Sequence, residues 1–318
     1  METILNKIEA ALAAIPYPQQ PEGLYEPIRY VLSMGGKRLR PTLTLMAYAL
    51  YKEDTERALP TAIGLETYHN HTLLHDDLMD KADMRRGKPT VHKKWDENTA
   101  ILSGDTMLLL AYRLIASTAV GRMDEVMALF TQSAIQICEG QQMDVNFETR
   151  ADVSEAEYIE MIRLKTSVLL GCAAKMGALL ADAPAADCDT LYAFAEKVGL
   201  AFQLQDDYLD TFGDPEVFGK KIGGDILYGK KTFLVHAALA RMSATEATDF
   251  LALLNRTDLP SEEKIARVTE VYRRHDVPAV CEARIAAFFE EAHRLLAHLS
   301  VDAAPLWDYA QTLMKRNK

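Results

Sequence analysis

Two segments of the chain carry the same acidic signature, Asp76-Asp77-Leu78-Met79-Asp80 and Asp206-Asp207-Tyr208-Leu209-Asp210. In each DDxxD the first and last aspartates stand four apart, which on a helix sets them one turn above each other on a shared face. Like charges so placed cost a helix about 0.2–0.5 kcal/mol per pair, and more where they face inward, so a cation is expected to offset them. The donors are carboxylate oxygens, and the DxDxDG loop of a calcium cage is missing. Such a set favours Mg²⁺, which accepts sparse carboxylates when waters and substrate phosphates complete its octahedron. A single motif of this kind is equally well read as a solvated acidic face. The apolar neighbours Leu73, Leu74, Leu204 and Leu209, and the second copy, favour the metal.

Carboxylates that hold magnesium can hold a phosphate if cations stand nearby. Three breaks in the helical pattern supply them. In Met34–Pro41 the pair Gly35-Gly36 suits the end of one helix and Pro41 the first turn of the next, with Lys37, Arg38 and Arg40 crowded between. Asp83–Thr90 is a second such turn, bearing Arg85, Arg86 and Lys88. Phe212–Thr232 is rich in glycine and lysine and reads as a mobile basic loop, not a helix. Any one of these alone is an ordinary basic turn near a helix end. Together with two acidic motifs they point to two diphosphates, one gripped through metal and one directly.

The elements that must position these groups are helices. Apolar residues recur three or four apart at Ile4, Ile8, Leu12 and Ile15, again at Leu102, Met107, Leu108, Tyr112 and Ile115, and at Ile159, Ile162, Leu169 and Leu170. No proline falls between Pro89 and Pro184, and no sustained strand alternation appears. The pattern predicts an all-α, single-domain helical bundle over residues 1–318, without repeats or linkers. With 318 residues, 49% hydrophobic and 25% charged, the composition is that of a globular protein able to build its own core. A net charge of -11 argues against nucleic acid as a partner. The four cysteines form no CxxC pair and the first residues show no basic-then-apolar leader, so a cytoplasmic location is expected. The most apolar stretch, Thr166–Ala186, is broken by Lys175 and Asp182 and reads as a buried helix, and no transmembrane segment is expected.

From GGKRLRP at Gly35 through HDDLMDKADMRRGKPT at His75, GDTMLL at Gly104, GQQMD at Gly140, KTSVL at Lys165 and FQLQDDYLD at Phe202 to GKKIGGDILYGKKT at Gly219, the chain resembles the trans-isoprenyl diphosphate synthases. This is the polyprenyl synthetase family, which includes the farnesyl and geranylgeranyl diphosphate synthases. The resemblance implies that Asp76, Asp80 and Asp206 face one another across a central cavity and hold three Mg²⁺ on an allylic diphosphate, supported by Asp77, Asp207 and Asp210. It implies that Arg85, Lys165, Lys220 and Lys230 neutralise that diphosphate, with Thr166 and Gln203 beside the reacting carbon. Lys37, Arg40, His69 and Arg86 would bind isopentenyl diphosphate, giving a head-to-tail condensation through an allylic carbocation. It implies a homodimer as well.

Gln141 and Asp144 share a helix face that either lines the cavity or packs, Lys221 and Lys231 are alternatives to the neighbouring family lysines, and the basic tail Lys315–Lys318 reads as a frayed end. Tyr68, His71 and Thr72 precede Asp76 by one or two helical turns and are expected to floor the pocket, which predicts a C15 to C20 product. Two rivals remain: a terpene cyclase, which needs no second diphosphate site, and a non-catalytic partner subunit, which would not be expected to keep every aspartate and cation.

Overall fold

The structure is a computed structural model that describes residues 2–118, 121–150, 152–214 and 222–315. It is all-α, as the periodicity predicts, and divides into two compact units: Met1–Thr131 with Cys172–Leu191, and Gln132–Gly171 with Tyr192–Lys318.

The first unit contains α1 (Glu2–Ala13), α2 (Glu22–Leu32), α3 (Leu39–Ala49), α4 (Leu59–Met79), α5 (Val91–Lys94) and α6 (Glu97–Ala116). Helix α4 is its axis and packs on α6 and α3. Side chains are buried all around it, including Ile63, Leu65, Thr67, Tyr68, Asn70, Leu74 and Asp77. A helix without a solvent face must sit inside its unit, and it can then deliver a charged end to a sheltered place. Helix α6 is two-faced: Ser103, Met107, Leu110 and Ile115 are buried, whereas Ile101, Leu102 and Leu109 stand exposed at 44, 58 and 68%. Among the described residues it is the one helix long and apolar enough to cross a membrane by length and composition.

Between α4 and α5 the only strands among the described residues form a hairpin, Met84–Arg85 against Lys88–Pro89. Sequence reading saw only a turn there. Arg86 and Gly87 at its tip both have positive φ, 52° and 74°, the twist that two-residue hairpins require.

The remaining elements are α7 (Met123–Thr149), α8 (Glu155–Ile162), a π-helical turn (Arg163–Ser167), α9 (Val168–Leu180), α10 (Ala185–Phe212), α11 (Gly224–Leu227), α12 (Phe233–Leu239), α13 (Ala244–Leu254), α14 (Ser261–Arg274), α15 (Val277–Leu296) and α16 (Ala304–Met314). The core of the second unit joins Phe147, Tyr158, Ile162, Leu204, Phe233, Phe250, Tyr272 and Phe288. Capping boxes start α8 at Ser154 and α13 at Ser243. Helix α9, which falls in the stretch read as a buried helix, is indeed buried, with Val168, Cys172, Met176 and Leu179 at 0 or 1% exposure. The glycine-rich segment departs from expectation, because Gly224–Leu227 forms a helical turn. Residues 215–221, which include Lys220 and Lys221, lie outside the described residues.

Within the first unit, α9 approaches α3 so closely that a Cβ on Gly177 would lie under 3.0 Å from the Thr44 carbonyl oxygen and against Ala47. Backbone cannot step aside as a side chain can. Gly177→Ala should therefore destabilise the protein by about 1–3 kcal/mol, read as a lower midpoint in thermal or urea denaturation.

Candidate active site

Helix α4 ends at Met79, and Asp80 closes it, its N–H donating to the Asp76 carbonyl at 2.8 Å. Asp76 and Asp80 thus occupy the C-terminal turn, where the helix dipole is negative and carboxylates are least welcome. Asp77 turns inward. It is 6% exposed, and Arg85 Nε lies 2.8 and 2.7 Å from its two oxygens. Burial raises the Asp77 pKa and the Arg85 guanidinium pulls it back. The same guanidinium reaches 4.0 Å from Asp76 Oδ2. Asp77 is therefore the anchor that points Arg85, from the hairpin, at the Asp76 carboxylate.

The Gly35–Arg40 turn meets the hairpin. Gly35 and Gly36 have φ of 78° and 144°, and Arg86 donates to the Gly35 carbonyl oxygen. A Cβ on Gly36 would lie 3.0 Å from the Arg86 guanidinium carbon, so the glycine leaves that cation its place. Arg40 is buried, and its Nε has no hydrogen-bond partner. Burial lowers its pKa to about 10, with Glu66 opposing and Arg86 adding to the fall. His69 is pushed well below its ordinary value, first by burial and then by Arg40, Arg86, Arg85 and Arg38, so it stands neutral among cations. Burial likewise lowers Arg86. Arg40, His69 and Arg86, expected together, are together, while Lys37 on the same turn is exposed. Arg38 is different: its guanidinium is buried against Glu9 and Glu66 and is closed to any ligand. A buried cation such as Arg40, with a second cation near it and few carboxylates to meet the charge, suits an anion with several oxygens.

Along α4 the rings of His75, His71 and Tyr68 follow one another, with centroids 4.7 and 5.6 Å apart. Tyr68 meets Phe130 edge-on at 5.1 Å, and Phe130 meets Tyr112 at 4.8 Å. Burial, aided by His75, lowers the His71 pKa to about 4, so that ring is uncharged. Sequence reading found Tyr68 and His71 but missed Phe130, which lies on another helix.

In the second unit α10 repeats the design at its C-terminal end. Asp207 turns inward, 7% exposed, and accepts a 2.6 Å hydrogen bond from the Tyr158 hydroxyl. Burial raises its pKa far above the carboxylate range, and Asp225 and Asp206 add to the rise. Asp206 and Asp210 are half-buried on the shared face. Asp210 Oδ2 accepts from the Asp225 N–H at 2.9 Å, and so fastens α11 to the motif. Asp225 was missed. It lies 3.7 Å from Lys230 Nζ and raises the pKa of Asp207. The signal was in the sequence, in the GGDILYGKK segment beside the basic residues that were chosen.

Lys165 and Thr166 lie in the π-helical turn, a distortion that redirects side chains and recurs at functional sites. Lys165 Nζ is 2.6 Å from Asp144 Oδ2, which gives Asp144 a role that its helix face alone left open. Gln203 is half-buried on α10, one turn before Asp207. Lys231 donates to the Phe147 and Arg150 carbonyl oxygens and so caps the end of α7 instead of facing a ligand. Lys220 lies outside the described residues.

Among the described residues no three His, Cys, Asp or Glu side chains converge to hold an ion by themselves. Pairs of carboxylates at negative helix ends nevertheless fit Mg²⁺, which needs only one or two such ligands when a diphosphate supplies others.

The sequence profile of the polyprenyl synthetase family matches residues 21–272. The chain is 40% identical over 263 residues to a short chain isoprenyl diphosphate synthase of Methanocaldococcus jannaschii, covering 82% of this chain and 80% of that one. It is 41% identical over 232 residues to a geranylgeranyl diphosphate synthase of Methanosarcina mazei, 72% of either chain. A crystal structure of a geranylgeranyl pyrophosphate synthase superposes with a TM-score of 0.91 and 43% identity, over 100% of this chain and 98% of that one.

Helix α7 meets the π-helical turn at Gly140, where a Cβ would lie under 3.0 Å from the Lys165 nitrogen and the Leu164 carbonyl carbon. Gly140→Ala should displace Lys165 and Thr166. A shift of that size costs on the order of 100-fold in kcat, measurable in steady-state kinetics alongside a modest fall in thermal midpoint.

Proposed function

The chain belongs to the polyprenyl synthetase family, and we propose that it is a Mg²⁺-dependent trans-prenyltransferase joining isopentenyl diphosphate head to tail to an allylic diphosphate. The observation that carries this reading is that α4 serves two kinds of anion chemistry: His69 beside the buried Arg40 and the hairpin's Arg86, and Asp76 and Asp80 at its end. A cyclase has no use for the first of these.

Asp76, Asp80 and Asp206 would hold Mg²⁺, up to three ions, and the bound metal supplies charge that stabilises a departing diphosphate. Asp77 and Asp207 support them from behind, one through Arg85 and the other hydrogen-bonded to Tyr158. Arg85, Lys165, Lys220 and Lys230 neutralise the allylic diphosphate. Its C–O bond breaks with both electrons leaving on oxygen, and the Thr166 and Gln203 oxygens steady the allylic cation. Lys37, Arg40, His69 and Arg86 hold isopentenyl diphosphate so that its double bond attacks that carbon. Loss of a proton from the new cation to the released diphosphate restores a double bond, five carbons longer.

Residues 1–318 act as one synthase domain in a cytoplasmic homodimer. The exposed row Ile101, Leu102 and Leu109 on α6 is the apolar face available to a second copy. Product length is C15 to C20, limited by His71 and Tyr68, and the relatives named geranylgeranyl and geranylfarnesyl diphosphate synthases favour its upper end or one unit beyond.

The test is to incubate the purified protein with Mg²⁺, isopentenyl diphosphate and, in turn, the C5, C10 and C15 allylic diphosphates, and to identify products by mass spectrometry. Both substrates should be consumed to a linear C15 or C20 diphosphate, and chelation of the metal should stop the reaction. Asp76→Asn or Asp206→Asn should lower kcat by about 10²- to 10³-fold. His71→Ala should lengthen the product by at least one isoprene unit. A cyclic hydrocarbon formed without isopentenyl diphosphate, or no turnover by the protein alone, overturns the assignment.

A further inference from the structure

Of the three cations in the Lys37–Arg40 turn, Arg38 is the one that no ligand can reach, and it is also the most heavily tied. It is 2% exposed, with left-handed backbone at φ 49°. A non-glycine residue holds that conformation only where its surroundings over-determine it. Nε donates to Glu9 Oε1 at 2.7 Å, Nη1 to Glu66 Oε1 at 2.8 Å, and Nη2 to the Leu32 carbonyl at 2.9 Å and Glu9 Oε2 at 3.2 Å. One guanidinium thus joins α1 through Glu9, the end of α2 through Leu32, and α4 through Glu66.

Glu66 is the carboxylate that opposes the fall in pKa of both Arg40 and Arg86. Its Oε1 is already taken by Arg38 and by Asn70 Nδ2, the latter at 3.1 Å. Arg40 Nε, on the same turn as Arg38, has no hydrogen-bond partner. If Arg38 were released, Glu66 could turn to Arg40 and quench the cation that a diphosphate needs.

We infer that Glu9 and Glu66, acting through Arg38, are positioning residues for the directly bound diphosphate: α1 clasps the Gly35–Arg40 turn and holds Glu66 Oε1 on Arg38 instead of on Arg40. This rests on the reading of Lys37, Arg40, His69 and Arg86 as the isopentenyl diphosphate site. Glu9 lies on a helix that no motif marks, and it touches no substrate.

The experiment compares Glu9→Ala, Glu9→Gln and Lys7→Ala by steady-state kinetics and by calorimetric binding of isopentenyl diphosphate. Lys7 makes the other bridge of α1, 2.6 Å to Glu56, and serves as the control for loosening that helix without touching Arg38. Glu9→Ala should raise KM for isopentenyl diphosphate about tenfold, with kcat and the allylic KM within about twofold of wild type. Glu9→Gln, which keeps a hydrogen-bond acceptor, should recover most of the loss, and Lys7→Ala should leave KM unchanged. Equal binding by Glu9→Ala and wild type, a uniform fall in all kinetic parameters, or a Lys7→Ala that reproduces the effect would each overturn the clasp. Wild-type protein that fails to bind isopentenyl diphosphate calorimetrically would instead overturn the underlying site assignment.

Discussion

Charge withdrawn from water has to be met by opposite charge, and the rest of this structure depends on where that demand is left unmet. At the ends of α4 and α10, aspartates four apart share a face at the negative pole of a helix. Beside Gly35 and Gly36, Arg40 is buried, and Glu66, the carboxylate that opposes the fall in its pKa, is bonded to Arg38. The two deficits have opposite sign and call for different partners, metal ions in one case and a polyanion in the other. A protein selected only for stability would have little reason to keep either.

Around these deficits several other charges are firmly paired. Asp77 holds Arg85, Tyr158 holds Asp207, Asp144 meets Lys165, and Glu9 and Glu66 close on Arg38. These pairs fix the side chains that border the unmet groups, and fixing them in advance lowers the entropy lost when a substrate arrives. The backbone contributes to the same end. The π-helical turn presents Lys165 and Thr166, and the positive φ values of Arg38 and Arg86 turn the two basic segments.

Much of this was legible in the residues. The spacing of Ile8 and Leu12 predicted the buried face of α1, and the apolar stretch after Thr166, interrupted by Lys175 and Asp182, predicted a buried helix. The motifs picked out an aspartate pair at the end of α4, another at the end of α10, and Arg40, His69 and Arg86, whose charges act on one another in the structure. What escaped was of another kind. The hairpin at Met84–Pro89 is too short to show alternation, and the helical turn at Gly224–Leu227 forms against its composition because Gly223 adopts φ 84° and Asp210 receives the Asp225 N–H. Phe130 and Asp225 matter through neighbours in space that no local pattern announces.

By itself the sequence determined periodicity and the placing of charge: which residues share a helix face, where helices must break, and where two carboxylate pairs and two basic turns stand. Tertiary structure decided which members of each motif are turned inward. Asp77 and Asp207 become supports, and Arg38, one residue from a candidate ligand, becomes a buried strut. The physical reason is that desolvation and pairing depend on groups far away along the chain. Tyr158 is 49 residues from Asp207 and Glu9 is 29 from Arg38, and only folding brings them within reach.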